Sequence, residues 1–191
     1  MTYLDDLGRP DAPIAGPETL TLLGALERER ATFRWKCDGL DDAGYRATVG
    51  ASTLTLGSLL KHLALVEDDY FSHRMLGRPP PPPWDGVDWD VDPDWEWRSA
   101  ADDSPEELLA LWEAAVARSR ACTDEILAGG GFDRPAAYET GDGETPSIRR
   151  FIVDLIEEYS RHLGHADLIR ESIDGVVGED PPPGTTFAAR G

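Results

Sequence analysis

Apolar residues return at every third or fourth position in four separate stretches of this chain, a spacing that suits helices burying one face in a shared core. The clearest stretch runs from about Thr53 to Gly77 and carries Leu56, Leu59, Leu63, Val66 and Tyr70. An earlier one, from about Pro17 to Leu40, opens with proline at a tolerated first-turn position and sets Leu22, Leu23, Leu26, Arg30 and Phe33 at helical spacing. A third starts at Ser104-Pro105-Glu106-Glu107, a capping residue followed by proline and first-turn acids, and carries Leu108, Leu111, Trp112, Ala115 and Ile126 to about Ala128. The fourth, announced by Thr145-Pro146, places Ile148, Phe151, Ile152, Leu155, Tyr159, Leu163, Ala166 and Ile169 ahead of a stop at Asp174-Gly175.

The 15 prolines and 19 glycines fall mostly in the connections and tails and leave these stretches fairly clean. Between the second and third helices, Arg78 to Asp103 opens with five consecutive prolines that no helix survives. Trp84, Trp89, Trp95 and Trp97 follow, too much apolar surface to leave in water. This crossover is expected to pack back on the helices, either to roof a pocket or simply to anchor a long connection. With 191 residues the chain suits one domain. The reading is an N-terminal extension at 1–16, a helical domain at 17–175 and a tail at 176–191, loose from Glu179 onward. The predicted fold is all-α: an antiparallel four-helix bundle with a long Pro/Trp-rich crossover, in which sites arise from side chains on facing helices.

A formal charge of −19, from 37 acidic against 18 basic residues, repels nucleic-acid phosphates and anionic lipid, so neither is an expected partner. No stretch approaches the roughly 18 apolar residues of a membrane span, and Met1 to Pro10 lacks the basic and apolar runs of a signal peptide. The expected location is the cytoplasm. Cys37 and Cys122 are then reduced thiols, and core residues rather than nucleophiles.

Chemistry concentrates in the fourth helix, in Glu157-Glu158-Tyr159-Ser160-Arg161-His162-Leu163-Gly164-His165. At about 100° per residue, His162 lies about 40° from Glu158 and His165 about 20° on its other side, so three donors share one narrow face at the edge of the core. His62 flanks the leucine stripe of the second helix in the same way, about 90° from its centre. Two neutral imidazoles and a carboxylate are a common ligand set for Zn²⁺ or another first-row divalent ion, and three protein ligands leave a position open. The same spacing also suits ordinary hydrogen-bonding side chains at a helix edge. Glu67, about 140° round from His62, reads as a buried hydrogen-bonding acid, and His73 lies too far along the helix to share an ion.

Leu59-Leu60-Lys61-His62-Leu63-Ala64-Leu65-Val66-Glu67, taken with Glu158 to His162 continuing as Leu163-Gly164-His165-Ala166-Asp167-Leu168-Ile169-Arg170-Glu171, resembles the DinB-like superfamily. More narrowly, the pair resembles its mini-circle-type branch, related to mycothiol-dependent maleylpyruvate isomerases. The resemblance covers roughly Pro17 to Gly175. It implies a four-helix bundle and a divalent metal, often zinc or nickel, held by a His of the second helix and a pair spaced by four on the last. By position it implies His62, Glu158 and His162 as the ligands. Many members have His at the first position of that pair; Glu158 matches the isomerase-like pattern instead. His165 is not a usual ligand there, which leaves it as a fourth ligand, an outer hydrogen-bonding group or a general base, with a catalytic role beside the site as the working assignment.

The activity implied is that of a metal-dependent transferase or isomerase using a low-molecular-weight thiol such as mycothiol against an electrophilic substrate. Two alternatives stay open: hydrolysis by metal-activated water with His165 moving the proton, and a non-enzymatic metal-binding stress-response module. The resemblance also allows a homodimer through helix faces.

Overall fold

A computed structural model describes residues 3–187. The outer ends of the expected N-terminal extension (residues 1–2) and of the expected tail (residues 188–191) lie outside the described residues. The architecture is all-α, with one two-stranded hairpin. The elements are β1 (Tyr3–Leu4), β2 (Pro10–Asp11), α1 (Glu18–Lys36), α2 (Asp42–Arg46), α3 (Leu56–Asp68), α4 (Trp95–Ser99), α5 (Pro105–Ala128) and α6 (Ile148–Asp174). The four long helices foreseen from the apolar stripes are α1, α3, α5 and α6. No helix among the described residues is long and apolar enough to cross a membrane.

Contacts divide the chain into two compact units, Met1–Thr53 with Ile152–Gly191, and Leu54–Phe151. In the first, the hairpin lies so close to α1 that a Cβ on Gly24 would fall 2.5 Å from the Ala12 Cα and 2.6 Å from the Asp11 carbonyl oxygen. Only glycine permits that approach. The C-terminal end of α1 is tied to α6 by charge and backbone together. The Arg170 guanidinium donates to the carbonyls of Lys36 (2.8 Å) and Asp38 (2.7 Å), and Lys36 Nζ pairs with Asp167 at 2.7 Å. These bonds satisfy carbonyls that a helix terminus leaves without partners. Phe33 meets Tyr159 edge to face at 6.1 Å, both fully buried.

The segment after α6 departs from the loose tail expected from Glu179 onward. The Glu179 carbonyl accepts from Arg9 (2.8 Å) and from the Trp35 indole (3.2 Å), the Gly178 carbonyl accepts from Lys36, and Asp180 pairs with Arg9. Backbone acceptors serve any sequence equally, so composition gave no sign of this anchoring.

In the second unit, α3 and α5 pack side by side and α4 packs on α3. Both long helices start with reciprocal caps. Thr55 Oγ1 accepts from the Ser58 backbone N–H while Ser58 Oγ accepts from that of Thr55, and Ser104 and Glu107 repeat the arrangement with Pro105 at the first helical position. Beyond Asp68 the helix widens into a π-helical segment, Asp69–Met75, closed by Gly77 at φ +69°. The apolar stripe foresaw helix to this point but not the change of winding, which leaves Tyr70 half-buried and turns Phe71 and Met75 into the core.

The crossover from Arg78 to Asp103 does pack back. Trp84 is buried and donates its indole N–H to Asp68 at 2.8 Å, and Trp95 meets both Trp84 and Trp89 edge to face. Lys61 Nζ lies 4.5 Å from the Trp95 ring centroid while bonding Asp103 at 2.5 Å. The tryptophans thus form a cluster against α3, with α4 at its end.

Candidate metal centre

His62 sits in the middle of α3, beside the fully buried Leu59 and Leu63 and itself half-buried. Two residues of α4 hold its ring. Trp97 stacks on it with centroids 4.1 Å apart and planes 20° apart, and Glu96 Oε1 lies 3.4 Å from Nδ1. The crossover therefore sets both the plane of this imidazole and the neighbour of one nitrogen.

On α6 the i, i+4 spacing puts His162 Nε2 3.3 Å from Glu158 Oε2. His162 is buried and Glu158 half-buried, so the pair spans the edge of the core as the helical arithmetic required. His165 meets the other side of the same ring, with its Nδ1 3.3 Å from His162 Nδ1. One nitrogen of His162 thus faces the carboxylate and the other faces a second imidazole.

His62, Glu158 and His162 each offer one ligand atom, and these atoms all lie within 4.8 Å of one another. Two donors bound tetrahedrally at about 2.0–2.1 Å from one ion stand about 3.4 Å apart, and the 3.3 Å between His162 Nε2 and Glu158 Oε2 meets that condition. The donor types, two imidazoles and a carboxylate, suit zinc or another first-row divalent ion.

The remaining candidates fall elsewhere. Glu67 is fully buried, as expected of a hydrogen-bonding acid. His73 is exposed and turns Nδ1 to the Arg78 carbonyl. Both cysteines are buried and free, and burial pushes the Cys37 thiol up to about 12. Cys122 lines a cavity of about 380 Å³ with Ser72, Arg78, Pro79, Pro81 and Arg118, where the two guanidiniums already pair with Glu125 and Asp68. Sequence reasoning missed Glu96 and Trp97 as neighbours of His62, because an aperiodic crossover shows no face to reason from.

The family model described as mycothiol-S-transferase matches residues 21–175, which takes in α3, α6 and all three clustered side chains. No curated protein matches the chain.

Proposed function

Because the chain belongs to the mycothiol-S-transferase family, a DinB-like family related to mycothiol-dependent enzymes, we propose that it transfers a small-molecule thiol, with mycothiol the leading candidate, onto an electrophilic substrate at a divalent ion held by His62, Glu158 and His162. The observation that carries this reading is the gathering of those three ligand atoms within 4.8 Å. Zinc or nickel bound there would lower the pKa of a coordinated thiol and so supply a thiolate at neutral pH.

The residues present suit that task. Two neutral imidazoles and one carboxylate offset only one of the two charges of a divalent ion, so the set favours an anionic fourth partner such as sulfur. The half-buried Glu158 keeps one side of the set near solvent, where a small thiol and its electrophile can enter. His165 Nδ1 lies 3.3 Å from His162 Nδ1, and in the tautomer with hydrogen on His162 Nδ1 it would accept that hydrogen bond and leave Nε2 as the ligating atom. Direct proton transfer is the alternative role for His165, and the variants of that residue separate the two. Both cysteines are free, in keeping with a reducing cytoplasm as the place of work.

The test is turnover by the metal-loaded protein with several thiols, mycothiol among them, and model electrophiles. Thiol-dependent turnover well above a His62→Ala control is the expected result. No turnover above that control in any combination would overturn the proposal, and turnover that proceeds without thiol would assign hydrolysis instead.

A further inference from the structure

Glu96 is out of place by the ordinary rules of burial. It is 5% exposed, its Oε2 is buried with no hydrogen-bond partner among the described residues, and its Oε1 has a 3.4 Å contact with His62 Nδ1. A carboxylate withdrawn from water with one oxygen unsatisfied costs stability. Asp68, another buried carboxylate, shows the contrast: it receives bonds from Trp84 and twice from Arg118. Asp68 is held by the fold, whereas Glu96 faces a histidine.

The neighbour of Glu96 in α4 completes the arrangement. Trp97 stacks on the His62 ring, so one short helix presents a flat surface to the imidazole plane and an acceptor to its edge. The stack restricts rotation about the side-chain torsion that would swing the ring. The acceptor selects the tautomer with hydrogen on Nδ1, which leaves the lone pair on Nε2. A carboxylate behind a ligating imidazole also raises the basicity of the ligating nitrogen.

We propose that Glu96 is the positioning residue for His62: it accepts the Nδ1–H, makes Nε2 the ligating nitrogen and so builds the Trp-rich crossover into the metal centre. The inference rests on the reading of His62 as a ligand. It gives the crossover a definite role, neither lid nor mere connection, and it pairs with His162, whose Nδ1 is likewise turned to an outer partner, His165. Each imidazole of the set then has its own support, a carboxylate for one and an imidazole for the other.

A structural role and a positioning role predict opposite changes in two measured quantities. Removing a poorly satisfied buried carboxylate should leave the thermal midpoint of metal-free protein unchanged or raised, while its loss behind a ligand should weaken the metal. The experiment compares the full chain with Glu96→Ala and Glu96→Gln, measuring Zn²⁺ affinity by competition with a chromophoric chelator and the melting of each metal-free protein. The visible bands of the Co²⁺ form supply a second readout. Glu96→Ala is expected to weaken Zn²⁺ binding about 10- to 100-fold and shift the Co²⁺ bands without lowering the metal-free midpoint. Glu96→Gln, whose amide oxygen still accepts the Nδ1–H, should lose less, and it carries the test should the alanine variant fail to fold.

Parent-like Zn²⁺ affinity in both variants, within twofold, overturns the proposal while leaving the ligand assignment intact. A lowered midpoint with unchanged affinity overturns it in favour of packing. Failure of the parent itself to bind Zn²⁺ removes the ligand reading and this inference together.

Discussion

Trp84 donates its indole N–H to the buried carboxylate of Asp68 across 2.8 Å, and Arg118 adds two bonds of 2.8 Å to the same group. One residue at the end of α3 thereby fastens both the Pro/Trp-rich crossover and α5. Asp68→Ala strands a buried indole donor and unpairs the arginine, which should cost about 2–4 kcal/mol. Asp68→Asn keeps one acceptor oxygen and should cost about 1–2 kcal/mol. Urea denaturation checks both values, and Asp68→Ala should also be cleaved faster by protease within residues 79–103. Parent-like stability in the alanine variant would show that the crossover is held by other contacts.

His165 tests the support given to His162. Removing the partner of Nδ1 in His165→Ala should weaken Zn²⁺ binding about tenfold or more. His165→Asn, whose side-chain oxygen falls near the position of Nδ1, should recover much of that loss. Competition titration decides the matter. If His165→Ala instead lowers turnover while binding zinc as tightly as the parent, the residue moves protons and does not orient a ligand.

Glu29 gives a pH dependence of known sign. Burial raises its pKa above the usual 4.5, against the hydrogen bond it receives from Ser160. A carboxyl whose folded pKa is raised holds its proton longer in the folded state, so stability falls as pH rises from about 4.5 through that raised value. The cost is fully present at neutral pH and absent well below 4.5. Glu29→Gln still accepts from Ser160 and should be more stable than the parent at pH 7, with the difference vanishing at low pH. Thermal melts of both proteins across that range provide the comparison, and a difference that grows on acidification would contradict the account.

Cys37 should be inert in the folded protein. Its thiol is fully buried and pushed up to about 12, so almost no thiolate exists at pH 8. A thiol-reactive chromophore should label it only as fast as the chain unfolds, and the rate should rise with urea through the unfolding transition. Rapid labelling without denaturant would mean that the end of α1 opens readily.

The sequence made some of this legible for specific physical reasons. Leu59 and Leu63, or Leu155 and Tyr159, lie one turn apart on faces that had to be buried, and Ser104-Pro105 marks the start of α5 because capping and proline geometry act locally. Glu158 and His162 were found the same way, since four residues make one helical turn. His62 stood out by its place beside the leucine stripe of its own helix, but its pairing with Glu158 and His162 came through family resemblance, because no local rule relates two distant helices. Glu96 lay beyond both routes. It sits 34 residues from His62 in a segment without periodicity, and only the packing of α4 on α3 brings them together. The anchoring of Gly178 to Asp180 was hidden for another reason, as much of it runs through backbone carbonyls that carry no residue signature.

The claim that His62, Glu158 and His162 hold one divalent ion is met most directly by elemental analysis of protein purified without added metal, alongside His62→Ala and His162→Ala. About one equivalent of zinc or nickel per parent chain is expected, and less than about a tenth in either variant. A parent below about a tenth of an equivalent that also binds no added zinc, or variants that keep the parent's metal content, would contradict it.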